Sequence, residues 1–358
     1  MSAITFQLIQ NPCLAYGAVE ISLEGMNCEL HAADGIAALL GARRPPLMHV
    51  VKNAKVLGMS NVILNADHIG ALNNIVFNPL NQNKIKDDGE SNFENSENGI
   101  VFNYDTGREI DRGVFIGTNL NFGHWLFNHL ARMCYVGAAG KGCKFIISAS
   151  APAMHVECLG LFGIPPEDVL RVEKGELIGV AELLIPQMPW HGLDDGSSWW
   201  TPNIFPRMRR DLGVNDGHGR ITPAAKVFLS RKNTRWRRVQ NEDELFASVR
   251  DLGFVRVDPG ELTIHEQLEL GRRTEFLITP FGANSSFFLF MPDGACVLEL
   301  APPIDCMNVT PLFAKASNLV FRQQVGSVMP NSTQRPMDQD YVIGKDEFLR
   351  AFEEIYSR

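Results

Sequence analysis

The chain has 358 residues, 45% hydrophobic and 21% charged, with 33 basic against 41 acidic side chains and a formal charge of −8. That composition excludes a disordered, collagenous or mucin-like chain, and the acidic balance argues against a nucleic-acid partner. No run reaches the roughly 20 apolar residues that span a bilayer, and residues 1–42 hold no Lys or Arg to open a signal peptide.

Seven cysteines without a Cys-x-x-Cys pair predict reduced thiols and a cytoplasmic location. On that reading the sequons at Asn284, Asn308 and Asn331 are chance matches. At about 100–200 residues per domain the length predicts two domains. The boundary is placed near residue 205, giving 1–205 and 206–358.

In chain order, Ala18–Leu23, Leu47–Val51, Val62–Leu64 and Ile75–Phe77 read as strands. Between residues 78 and 99 Asn, Asp, Glu, Ser and Lys dominate, which predicts an exposed loop. Gly113–Gly117 is a strand, Asn121–Tyr135 a helix, Lys144–Ser148 a strand and Met154–Phe162 a helix. Val169–Val172 and Leu177–Leu184 are strands. Residues 186–206 hold four prolines with Trp190, Trp199 and Trp200, and read as a linker and cleft wall.

The second half alternates more clearly. Strands are expected at Val227–Ser230, Phe254–Val257, Phe276–Thr279 and Cys296–Leu300. Helices are expected at Glu242–Leu252, closed by Gly253, and at Thr263–Arg272, Asn284–Met291 and Lys345–Tyr356. This alternation predicts a doubly wound parallel sheet.

Four constellations could carry chemistry. Asn121, His124 and Asn128 fall at i, i+3 and i+7, a polar stripe beside apolar Phe122, Trp125, Leu126 and Leu130. His124 could abstract a proton or bond a phosphate or sugar, or simply be satisfied in the core. His129 lies on another face and reads as structural.

From Arg207 to Arg238 there are ten Lys or Arg against two Asp. Arg231 follows a predicted strand, where open α/β sheets place ligands, and a guanidinium fork matches phosphate. A solvated face and a nucleic-acid stripe are the rival readings. In Phe276–Phe287 the small Gly282 and Ala283 let backbone N–H groups approach an anion, with Asn284 and Ser285 able to bond it, or merely to cap a helix. Thr263 with Glu266 has capping-box spacing, with a ligand role as the alternative. The sequence offers no metal-binding set.

These pieces, in order, resemble family 61 glycosyltransferases: capsular-polysaccharide enzymes, plant pentosyltransferases and O-linked N-acetylglucosaminyltransferases. The likeness is carried by Asn121-Phe-Gly-His-Trp-Leu-Phe127 with Arg132, Leu229-Ser-Arg231, Arg237-Arg-Val-Gln-Asn-Glu242 and Gly253-Phe254. It continues through Glu266-Gln267, Thr279-Pro-Phe-Gly-Ala283, Phe290-Met-Pro-Asp-Gly294 and Val297-Leu-Glu-Leu300.

The resemblance implies an α/β, GT-B-like fold of two Rossmann-like doubly wound domains facing across a cleft. It implies an acceptor-binding 1–205 and a nucleotide-sugar-binding 206–358. It further implies an inverting, metal-independent transfer, without a cofactor, from a nucleoside-diphosphate sugar to a glycan or glycolipid hydroxyl. Peripheral membrane association is compatible with that acceptor.

By the same likeness His124 is the catalytic residue, with Arg231, Arg238, Gly282, Ala283, Asn284 and Ser285 on the donor. Asn121, Asn128, Glu266 and Gln267 support them. Phe281 stands where the family has His, and Thr279 where it has Gly. That departure keeps an inactive nucleotide- or glycan-binding protein as the alternative.

Overall fold

A computed structural model describes residues 2–8, 18–20, 47–58, 62–64, 66, 69–72, 93–97, 99–186, 190–192, 198–200, 204–214, 225–303, 310–329, 335 and 338–357. The strand expected at Ile75–Phe77 and most of the 78–99 loop lie outside those residues. The chain divides into two compact units, Met1–Ile204 and Phe205–Arg358.

The first unit contributes β1 (Ser2–Leu8), β2 (Ala18–Glu20), β3 (Leu47–Leu57), β4 (Val62–Leu64), β5 (Ile69–Leu72), β6 (Phe93–Ser96) and β7 (Gly99–Tyr104). It continues with β8 (Thr106–Phe115), β9 (Lys144–Ser148), β10 (Val169–Val172) and β11 (Glu176–Pro186). These strands form one sheet ordered β10-β9-β8-β11-β3-β4-β5-β1-β7-β6, with β2 beside β3.

Only the run β10-β9-β8-β11 is parallel throughout. From β3 onward most pairings are antiparallel, so this unit is not doubly wound from end to end, as the sequence reading expected. The reason is visible in Val51, Ala54, Val56, Ile178, Val180 and Leu183, which pack into one core from antiparallel β3 and β11. Apolar strands of either direction look alike in sequence.

Phe93–Ser96 is a second correction. It pairs antiparallel with β7, Ser96 opposite Gly99, inside the expected loop. Ladder hydrogen bonds are made by the backbone and do not depend on side-chain polarity. Within the expected linker, β12 (Trp190–Gly192) likewise pairs with β13 (Ser198–Trp200).

The helix expected over Asn121–Tyr135 is broken. A single α-turn at Phe122–His124 passes into a π segment, Trp125–His129, then a 3-10 turn, Leu130–Arg132, and Met133–Val136. All five π residues are buried, so no amphipathic period survives there. Buried Arg132 holds the break, its Nε donating to Asn128 O at 3.1 Å and Nη1 to Ile116 O at 3.1 Å. π insertions are uncommon and concentrate at functional sites.

Under this segment Trp125 stacks on His155 at 4.2 Å and on His129 at 5.8 Å. Burial, aided by Arg171, pulls His155 down from 6.5 to about 4. Burial also holds His129 well below the ordinary imidazole value. With the folded value depressed, stability is full above the unfolded value and is lost as pH falls through 6.5 toward 4. The loss from His155 is up to about 3 kcal/mol. His155→Phe keeps the stack and is expected to flatten the fall in melting temperature between about pH 6.5 and 4.5. An unchanged slope in that variant would place the acid sensitivity elsewhere.

The second unit adds β14 (Ala225–Leu229), β15 (Phe254–Val257), β16 (Thr274–Pro280), β17 (Cys296–Ala301) and β18 (Val320–Val325). All four pairings are parallel, in the order β15-β14-β16-β17-β18. That is a 2-1-3-4-5 winding, which reverses direction between β14 and β16 and opens a crevice at their carboxyl ends.

Helix Lys345–Tyr356 buries Phe348, Ala351, Phe352 and Ile355 at helical spacing into a core with Phe228, Phe254, Phe276 and Leu298. Each of its large side chains contributes about 1.5–3 kcal/mol. Helix Glu242–Val249 joins this core through Leu245 and Val249, and its 3-10 extension ends at left-handed Gly253 (φ 90°), as its sequence predicts. Gly271 allows helix Ile264–Arg273 to meet Phe290, since a Cβ there would lie 2.3 Å from the Phe290 Cβ.

Candidate functional site

In the first unit β8 leads through Ile116 and left-handed Gly117 into the Asn121 cap. His124 therefore sits at the carboxyl edge of the parallel strands, and it is exposed. Asn121 Oδ1 accepts the His124 N–H at 3.3 Å. Buried Asn128 brings its side-chain amide 3.4 Å from His124 Nδ1. The three stripe residues stay together despite the π insertion, because i to i+4 still places Asn128 above His124. His129 is buried, its Nδ1 2.8 Å from Ile116 O, which makes it structural.

In the second unit β14 runs into Ser230 and Arg231. Fully buried Glu242 fixes this turn, accepting from Ser230 Oγ at 2.6 Å and from the Arg231 N–H at 2.9 Å. Arg231 is 6% exposed, and its Nε donates to Trp236 O at 3.1 Å. It has no carboxylate within 4.0 Å among the described residues. Burial, reinforced by neighbouring Arg237, brings it down to about 10, so it remains a cation at neutral pH. A buried guanidinium without a counter-ion is costly, and an incoming anion relieves that cost.

The loop after β16 faces it. Gly282 has φ 129°, and a Cβ there would lie 3.0 Å from Arg231 Nη1. Only glycine brings this backbone so close to the guanidinium. Ser285 Oγ accepts the Gly282 N–H at 3.3 Å and donates to Glu299 at 2.5 Å. Asn284 Nδ2 donates to Ser230 O at 3.1 Å, tying the loop to the end of β14. The backbone amides of Ala283 and Asn284, which open the 3-10 helix Ala283–Phe290, donate to nothing among the described residues. Arg231 and these two amides meet at the β14/β16 switch point, where their charge and N–H dipoles suit an anion.

Arg238, expected beside Arg231, is committed elsewhere. Asp340 takes its Nε at 3.0 Å, its Nη2 at 2.6 Å and its backbone N–H at 2.8 Å. The neighbouring cation that bears on Arg231 is Arg237, held at φ 54°. Its guanidinium lies 5.5 Å from the Phe281 ring centre. The Phe281 ring thus carries a cation on its face. Arg207, Arg209, Arg210 and Lys232 are also ion-paired, so with Arg238 half of the ten cations in the basic run have a carboxylate partner.

Glu266 completes the capping box, accepting from the Thr263 N–H and Oγ1 at 2.8 Å each. Gln267 Nε2 donates to Pro259 O at 2.9 Å and Leu262 O at 3.3 Å, which fixes the loop before its helix. Both are loop supports.

Two positioning residues were given no role in the sequence reading. Glu242 was absorbed into a helix start. Glu299 sits in an apolar strand buried on both faces, and that lone charge was the signal. Its carboxylate accepts from Ser285, from Thr310 at 2.7 Å and from Gln323 at 2.7 Å. Among the described residues no cluster of three or more His, Cys, Asp or Glu could hold a metal ion.

Residues 122–298 match the glycosyltransferase 61 family. Over 77 residues the chain is 40% identical to the EGF domain-specific O-linked N-acetylglucosamine transferase of Drosophila melanogaster. That stretch is 21% of this chain and spans 15% of the relative's length.

Proposed function

From a glycosyltransferase family 61 domain at residues 122–298, we propose an inverting, metal-independent transfer of sugar from a nucleoside-diphosphate sugar to a glycan or glycolipid hydroxyl. The observation that carries this reading is the buried Arg231, with no carboxylate within 4.0 Å among the described residues, beside the Ala283 and Asn284 amides that donate to none of them. The leaving diphosphate gains negative charge as the sugar departs. Fixed cations and N–H dipoles stabilise it there without a metal. Arg237 is the second cation, in place of Arg238. On this reading the two units are the acceptor- and donor-binding halves of a GT-B enzyme, located in the cytoplasm.

His124 is the base on the acceptor hydroxyl. Its ring must then carry the proton on Nδ1 and leave Nε2 to accept. Asn128 supplies that state when its carboxamide oxygen faces Nδ1 and receives the proton in a hydrogen bond. The exposed position of His124 at a strand end supports access by an acceptor.

The test is a screen of UDP-, GDP- and dTDP-linked sugars against oligosaccharide and polyprenyl-phosphate-sugar acceptors, in excess EDTA. Product configuration is read by NMR. Transfer with inverted anomeric configuration in EDTA is the expected result. Retention would remove the mechanism, metal-restored activity would remove metal independence, and nucleotide binding without turnover would favour a binding protein.

A further inference from the structure

We propose that Asp258 binds the ribose hydroxyls of the nucleoside diphosphate, an inference that rests on the donor site described above. Asp258 is the first residue beyond β15, the strand beside β14 on the side away from β16. The Ser230 N–H donates to Val257 O at 2.7 Å, so the arginine turn and the end of β15 are joined. One strand spacing, about 4.8 Å, separates the two strands. A nucleotide with its phosphates at the β14/β16 switch point can lay its sugar over β14 and β15.

The partners of Asp258 favour this role. Asn233, two residues after Arg231, donates its Nδ2 to Asp258 Oδ2 at 2.8 Å. The carboxylate therefore lies against the arginine loop. Residues 231–238 contain five cations, yet none pairs with Asp258 within 4.0 Å among the described residues.

Oδ1 accepts the Gly260 N–H at 2.9 Å, which makes a local turn. That loop is also pinned by Gln267 at Pro259 O and Leu262 O, so the turn does not depend on Asp258 alone. A carboxylate offers about four lone-pair positions. Two are occupied, and two remain for a vicinal diol. In wound α/β sheets an acid at the end of the strand next to the phosphate turn takes the ribose hydroxyl, for the same geometric reason.

The experiment measures binding of UDP, GDP, their 2′,3′-dideoxy analogues and pyrophosphate to the wild-type chain and to Asp258→Asn. Asparagine keeps a cap oxygen for Gly260 but turns the other oxygen into a donor. Asp258→Ala serves as a second variant, and melting temperatures are taken for both. The wild type should prefer at least one ribonucleotide over its dideoxy form by about tenfold or more. Both variants should shrink that preference to about twofold while pyrophosphate binding is unchanged. A preference that persists in both variants overturns the role of Asp258 and leaves the donor site standing. Failure of every nucleotide and of pyrophosphate to bind the wild type overturns both.

Discussion

Arg231→Ala is expected to weaken nucleoside diphosphate binding by about 1.5–3 kcal/mol, the scale of a charge-assisted hydrogen bond. The same substitution should leave the melting temperature unchanged or raise it. Arg231 is 6% exposed and its charged form is disfavoured by burial and by Arg237, so its removal relieves the apo protein. Its side chain makes one hydrogen bond, to Trp236 O, and truncation strands no carboxylate among the described residues.

Binding and stability therefore move in opposite directions, as they do where a protein holds a charge ready for a ligand. Arg231→Lys should fall between, because an ammonium restores charge but not the planar fork. Isothermal titration and thermal melting of the three proteins decide the matter. Unchanged affinity in Arg231→Ala removes the residue from the site, and a large stability loss would make it a structural support.

The second large effect is expected at His124. His124→Ala should lower turnover about 100-fold or more, the worth of a positioned proton acceptor. The neutral ring is the active form of a base, so the wild-type rate should rise across about pH 5.5–8.5 and that rise should vanish in the variant.

His124→Gln preserves size and a hydrogen bond to Asn128, yet cannot take a proton, so it should not restore the rate. Because His124 is exposed, neither variant should lower the melting temperature much. Single-turnover rates of both variants settle the role. Near-normal chemistry from His124→Gln with an unchanged pH profile would make the residue a support.

What could be read in advance differs between the units. In the second, strands and helices alternate and Gly253 and Thr263–Glu266 terminate helices by local chemistry, so the parallel winding was legible. The position of Arg231 at a strand end was legible from the apolar run before it. That Arg237 rather than Arg238 neighbours it was not, because Asp340, 102 residues beyond Arg238, holds the latter.

In the first unit the mixed sheet depends on which apolar strands meet, which periodicity does not encode. The π insertion at Trp125–His129 depends on Arg132 capturing Asn128 O, a tertiary contact on a segment whose pattern reads as plain helix. The His124–Asn128 pairing was legible all the same, since their spacing of four survives the insertion.

A nucleoside diphosphate is expected to bind at the carboxyl edge of the second unit's parallel sheet. Amide hydrogen exchange with saturating UDP or GDP, in EDTA, tests it most directly. The account predicts slowed exchange at residues 230–238 and 281–285, led by the open amides of Ala283 and Asn284. Saturable binding with protection confined to residues 2–204, or no binding of either nucleotide, would contradict it.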